Sequence, residues 1–194
     1  LADFDGAVPP EGAYREVDRW IRWRLASLVR EVTADMEEYG FYRAIHRMHR
    51  FCAVELSAFY LDLLKDRLYA SRAGDPARRA AQAVLAETLS TLVRMLAPFV
   101  PFTAEEAWTG MPDALKGGPA SVHLAPWPKA PPLPDEARTA SRWEGFMKVR
   151  DAVFRKLESA RQDGTIVKPL ESSVTLQADG GLFGLLSSLE QGLP

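Results

Sequence analysis

Apolar residues recur at Val17, Ile21, Leu25, Leu28, Val32 and Met36, a three-to-four spacing that draws one stripe along a long helix. Such a stripe needs another element to cover it, so the chain must fold by packing helix on helix or helix on sheet. A second pattern, through Phe41, Ile45, Met48, Cys52, Leu56, Phe59 and Leu63, predicts a partner helix, antiparallel to the first if the turn at Gly40 is tight. Asp75 followed by Pro76 is a helix start, because the carboxylate accepts exposed N–H groups and Pro gives up no needed donor at the first helical position. That third helix runs through Ala81, Val84, Leu85, Leu89, Leu92 and Leu96 until Pro98 and Pro101 stop it. Thr103 and Glu106 form a T-x-x-E capping box for a short helix carrying Trp108. Trp143, Phe146, Arg150, Val153 and Leu157 mark a fourth long helix, ended by Gly164.

Four amphipathic helices and no strand-period segment of comparable length predict an all-α bundle. No repeat of solenoid length interrupts that reading. Residues 111–134 hold seven prolines and the short extended run Ser121–Leu124, which predicts a loop crossing the surface. The tail, VTLQADGGLFGLLSSLEQ, predicts a short strand and a helix, a partial α+β element.

Composition narrows the function classes. The formal net charge of −2 gives no whole-molecule field for nucleic acid, so RNA binding would need a local basic surface. Charged residues break every apolar run, which predicts no membrane span. The lead-in LADFDGAVPPEG has neither the basic start nor the apolar core of a secretory signal, and Leu1 in place of an initiator Met suggests a piece of a longer protein. The single cysteine, Cys52, forms no internal disulfide and suits a reducing cytoplasm.

Arg43, Arg47 and Arg50 sit at i, i+4 and i+7, on one stripe opposite Ile45, Met48 and Cys52. Guanidiniums about one turn apart suit successive phosphates of an RNA backbone, and equally a solvated face near Glu37 and Glu38. Arg15, Arg19 and Arg22 repeat the arrangement, with Trp20 and Trp23 interleaved either as stacking rings or as core. His46, His49 and Cys52 spread over about 120° of helix surface and make a poor metal set, so no metal ligand is assigned. Glu55, Asp62 and Asp66 fall on or beside the apolar face if the helix is straight, where Arg24, Arg67 or Arg94 could pair with them to fix register. No G-x-G-x-x-G, P-loop, H-E-x-x-H or G-x-S-x-G accompanies them, and no catalytic residue is assigned.

The run FCAVELSAFYLDLLKDRLY from Phe51 to Tyr69, followed by LAPFVPFTAEEAW from Leu96 to Trp108, resembles the helical anticodon-binding domain of the isoleucyl-tRNA synthetase family. VDRWIRWRL from Val17, YGFYRAIHRMHRFC, SVHLAPWP, VRDAVFRKLESAR and VKPLESSVTL continue the resemblance in order, to about Leu176. The Leu-Ala-Pro turn and its Trp-bearing helix are shared with valyl, leucyl and methionyl enzymes, whereas LSAFYLDLLKDRLY points to isoleucine. Pro169 departs from the family's usual small or polar residue.

The resemblance implies a helical anticodon-binding domain over residues 1–164, with 111–134 as its Pro-rich loop, and a junction element beginning at 165–194. It implies a partner, isoleucine tRNA, with this piece docked against the inner side of the tRNA's anticodon stem and loop, and no catalysis by this piece alone. ATP and magnesium would act in a catalytic core with H-I-G-H and K-M-S-K-S signatures, which do not occur in these residues. That core and an editing domain of the same parent chain would be further partners of a cytoplasmic monomer. A helical protein-interaction module is the reading from a different class, and a small hydrolase using Glu55, Asp62 or Asp66 is a third.

Overall fold

The computed structural model describes residues 3–166 and 172–190, with side chains as far as Ser187. Its helices are α1 (Glu16–Glu37), α2 (Phe41–Arg50), α3 (Lys65–Tyr69), α4 (Pro76–Leu96), α5 (Pro101–Gly110), α6 (Asp113–Lys116), α7 (Glu136–Gln162) and α8 (Gly180–Glu190). A π-helical segment, Phe51–Leu61, joins α2 to the short turn before α3. The described residues contain no strand, so the fold is all-α. The stretch expected to form a strand, Val174–Gln177, runs as irregular chain among the described residues, while the expected tail helix forms as α8. The turn around Pro169 lies outside the described residues.

The chain divides into two compact units, one up to Leu133 and one from Pro134 onward. In the first, α1 packs against α2, the π segment and α4, and α4 in turn packs against α3 and α5. Val17, Ile21, Leu25, Leu28 and Val32 of the predicted stripe are all buried, as are Ala44 and Met48 of α2 and Ala81 and Val84 of α4. Cross-contacts such as Arg43–Asp35, Arg47–Glu31, Arg24–Glu55 and Arg67–Asp18 show that the return helix runs antiparallel to α1.

The hairpin turn is a Schellman motif. Gly40 N–H donates to the Asp35 carbonyl at 2.7 Å and Tyr39 N–H to that of Met36 at 3.1 Å. The left-handed residue is Tyr39, with φ of 57°, and not Gly40, whose φ is −80°.

The predicted second helix does not stay an α-helix. At 100° per residue, a straight α-helix would carry Tyr60, Leu64 and Arg67 roughly 140° to 200° from Ala44, yet all four are buried. The i→i+5 bonds of the π segment take up extra residues in each turn and rotate the downstream face back toward α1. The same rotation corrects the expectation for the carboxylates. Glu55 does pair with Arg24, at 2.9 and 3.2 Å, but Asp62 and Asp66 stand in solvent, and Arg67 pairs with Asp18 on α1. Cys52 and Leu56, expected on the core face, are half-buried, and partial burial pushes the Cys52 thiol up.

Asp75 caps α4 as expected, accepting the Arg78 N–H at 3.0 Å. Asp75→Ala is expected to cost about 1 kcal/mol in urea unfolding followed by circular dichroism, and Asp75→Asn much less. The start of α5 differs from expectation. Pro101 occupies the first helical position and places Thr103 inside the helix, so no T-x-x-E box forms.

Residues 111–134 are less of a bare loop than their prolines suggest. α6 and a 3-10 turn at Val122–Leu124, in place of the expected extended run, lay Met111 and Val122 against Val93, Ala97, Ala104 and Trp108. In the second unit α7 packs on α8, where a Cβ on Gly145 would stand 2.7 Å from Leu185. Gly164, with φ of 78°, follows the end of α7 as expected.

Candidate nucleic-acid interface

The arginine stripe of α2 lies beside the hairpin tip, and its members differ in how they are held. Arg43 donates from Nε to Asp35 Oδ1 at 2.8 Å and from Nη2 to Glu38 at 2.7 Å. Arg47 donates from Nε to Asp35 Oδ2 at 2.6 Å and from Nη1 to Glu31 at 2.8 Å. Asp35 is 7% exposed and bridges the two. The hydrogen bond from Arg43, then that from Arg47, holds its carboxyl below the usual carboxylate range, while the same contacts push both guanidiniums still higher. This depressed acid favours the fold above the ordinary carboxylate value and loses that contribution as pH falls through its own. Both arginines still present half their side chains to water, at 52% and 43%. Arg50, one turn on, is exposed and pairs with no carboxylate among the described residues.

The α1 stripe has other attachments. Arg22 donates to Glu87 at 3.0 Å with its guanidinium 4.9 Å from the Tyr14 ring centre, and Arg19 reaches Glu16 at 3.5 Å and the Glu11 carbonyl at 3.3 Å. Arg15 is exposed at the helix start, its N–H bound to Asp18 at 2.8 Å. Trp20 belongs to the core, edge-on to Phe59 at 5.0 Å, and Trp23 is half-buried with Arg24 over its ring. The two stripes occupy opposite ends of α1. Sixteen residues separate Arg19 from Asp35, roughly 24 Å of helix.

An aromatic cluster shares the tip with the α2 stripe, and it corrects the expected apolar face at its first position, since Phe41 is 47% exposed while α2 docks through Ala44 and Met48. Tyr39, Phe41 and Tyr42 point their rings outward, and the Tyr42 ring meets His46 at 4.2 Å. Its sequence signal is Y-G-F-Y, aromatic residues set around a helix-terminating glycine, where loop residues are usually small and polar.

A family model described as the anticodon-binding domain of tRNA ligase matches residues 18–176. Isoleucine–tRNA ligase of Moorella thermoacetica is 42% identical over 193 residues, which are 97% of this chain and 20% of that protein. The isoleucine–tRNA ligase of Bordetella avium is 40% identical over 200 residues, with 100% and 21% covered, and that of Geobacter sulfurreducens 42% over 188, with 96% and 20% covered. The chain thus spans about a fifth of the length of these curated relatives.

Proposed function

This chain belongs to the anticodon-binding domain family of tRNA ligases, and from that premise we propose that it grips the anticodon stem and loop of isoleucine tRNA for a parent isoleucine–tRNA ligase. The observation that carries the reading is the cationic stripe beside the hairpin tip, at the far end of α1 from Arg15. There Arg50 offers a guanidinium with no carboxylate partner among the described residues, and Arg43 and Arg47 offer exposed outer edges on a rigid base. Phosphate contacts of this kind set position, and base contacts set identity. Arg15, Arg19 and Arg22 are held in reserve for a second stretch of backbone. The chain works as a positioning element without catalysis of its own. Ligation with ATP and magnesium falls to other domains of a cytoplasmic, monomeric parent. Among the described residues no helix is long and apolar enough to cross a membrane.

Filter binding of isoleucine tRNA, with a noncognate tRNA as control, tests the stripe. The Arg43→Ala/Arg47→Ala/Arg50→Ala variant is expected to bind more weakly and to lose about one to three units of the slope of log affinity against log salt. Arg50→Ala alone is expected to account for most of that change, because the other two charges are already countered. Unchanged affinity and slope in the triple variant would remove the stripe from the interface.

A further inference from the structure

On the solvent side of the hairpin tip, planar side chains stand in a row. Tyr42, His46 and Arg50 follow one another at i, i+4 and i+8 of α2 and its end, which places them along one exposed face. Beside them Tyr39 and Phe41 meet edge-on, their ring centres 6.1 Å apart. Tyr39 is 81% exposed and Tyr42 75%.

Packing does not account for these rings. The apolar residues that dock α2, Ala44 and Met48, are buried on its other side. Tyr39 occupies the left-handed position where glycine is the ordinary choice, so the backbone carries strain that burial of the ring does not offset. The chemistry of the row is also selective. It offers a phenol, an imidazole and a guanidinium, all flat, with no aliphatic side chain among them, which suits the faces of unstacked bases better than the apolar side of a partner helix. Because Asp35, Glu31 and Glu38 already counter Arg43 and Arg47, phosphate attraction at the tip is modest and another contact has to supply affinity.

We propose that Tyr42, His46 and Arg50, flanked by Tyr39 and Phe41, form a ladder on which unpaired bases of an RNA loop stack. The ladder rests on the RNA-binding reading above and adds the mode of contact. It reads single-stranded bases by their faces, is tolerant of base identity, and leaves paired RNA alone.

The test uses this chain with two RNAs of equal length, a hairpin carrying 2-aminopurine in an unpaired loop and a fully paired duplex. Wild type is expected to prefer the hairpin and to change the 2-aminopurine emission on binding. Tyr42→Ala and His46→Ala are each expected to weaken hairpin binding about 5- to 150-fold and to abolish that change, while Tyr42→Phe keeps both. Tyr39→Gly is expected to weaken hairpin binding while the urea unfolding midpoint stays level or rises, an outcome that a purely structural role for the ring would not give. Wild-type affinity in both alanine variants overturns the ladder and leaves RNA binding standing. Equal losses in Tyr42→Phe and Tyr42→Ala also overturn it, since the hydroxyl would then be the contact. Failure of the wild type to bind either RNA overturns both readings, and a dimer that Tyr42→Ala disperses assigns the rings to self-association instead.

Discussion

Asp18→Ala is expected to lower the free energy of unfolding by about 3–5 kcal/mol, measured by urea denaturation. Asp18 is fully buried, and four donors converge on its carboxylate. Arg67 reaches it through both terminal nitrogens at 2.8 and 2.7 Å, Tyr60 donates its hydroxyl at 2.7 Å, and the Arg15 N–H closes the start of α1 at 2.8 Å. Removing the carboxylate strands a buried guanidinium, and the stranded charge costs more than the lost pair. Burial, with Asp18 next to it, also drives the Tyr60 hydroxyl well above its ordinary range, so the phenol stays a donor. The double variant Asp18→Leu/Arg67→Met removes both charges and is expected to lose clearly less than the sum of its single changes. A cost for Asp18→Ala within about 0.5 kcal/mol, the range of ordinary surface changes, would mean that Arg67 finds another partner or water.

Trp108→Ala is expected to cost a similar amount, about 3–5 kcal/mol, because the indole is buried within the apolar cluster formed by α4, α5 and the proline-rich stretch. It is 1% exposed and packed with Val93, Ala97, Ala104, Met111 and Val122. Its Nε1 donates to the Pro119 carbonyl at 3.1 Å, so one side chain both fills the space between α4 and α5 and ties down the proline-rich stretch. Trp108→Phe keeps much of the buried area but leaves the carbonyl without that donor, and should lose about 1–3 kcal/mol. Limited proteolysis is expected to cut residues 112–121 faster in Trp108→Ala than in wild type. Equal cutting rates would show that the stretch is held by other contacts.

Helices in both units can be read from sequence where one face is buried and regular or a local signal marks an end. The stripe of α1, the Asp75–Pro76 start and the Gly164 stop depend on local chemistry, and each is found where local chemistry places it. Errors arose where tertiary packing outweighed a local rule. Continuous α-periodicity through residue 63 misassigned Asp62 and Asp66, because a change in hydrogen-bond pattern leaves no mark in the apolar spacing. The partnership of Asp18 and Arg67 spans 49 residues and depends on that change, so it could not be seen. At the hairpin tip, the arginine stripe is visible as spacing, but the carboxylates of Glu31 and Asp35 that hold Arg43 and Arg47 belong to the opposite helix. Tyr39 and Tyr42 fall outside the apolar spacing, and Phe41, which opens that spacing, faces outward because α2 docks through Ala44 and Met48 instead.

The π segment between α2 and α3 acts as an angular adapter. An uninterrupted α-helix ties the orientation of every side chain to that of every other, so a change suiting one end would misalign the far end. With eleven residues of different pitch in between, the tip that carries Tyr42 and the anchor that carries Arg67 can each face where it must. The two ends are free to diverge separately, the tip changing its exposed face while the other end holds its grip on Asp18.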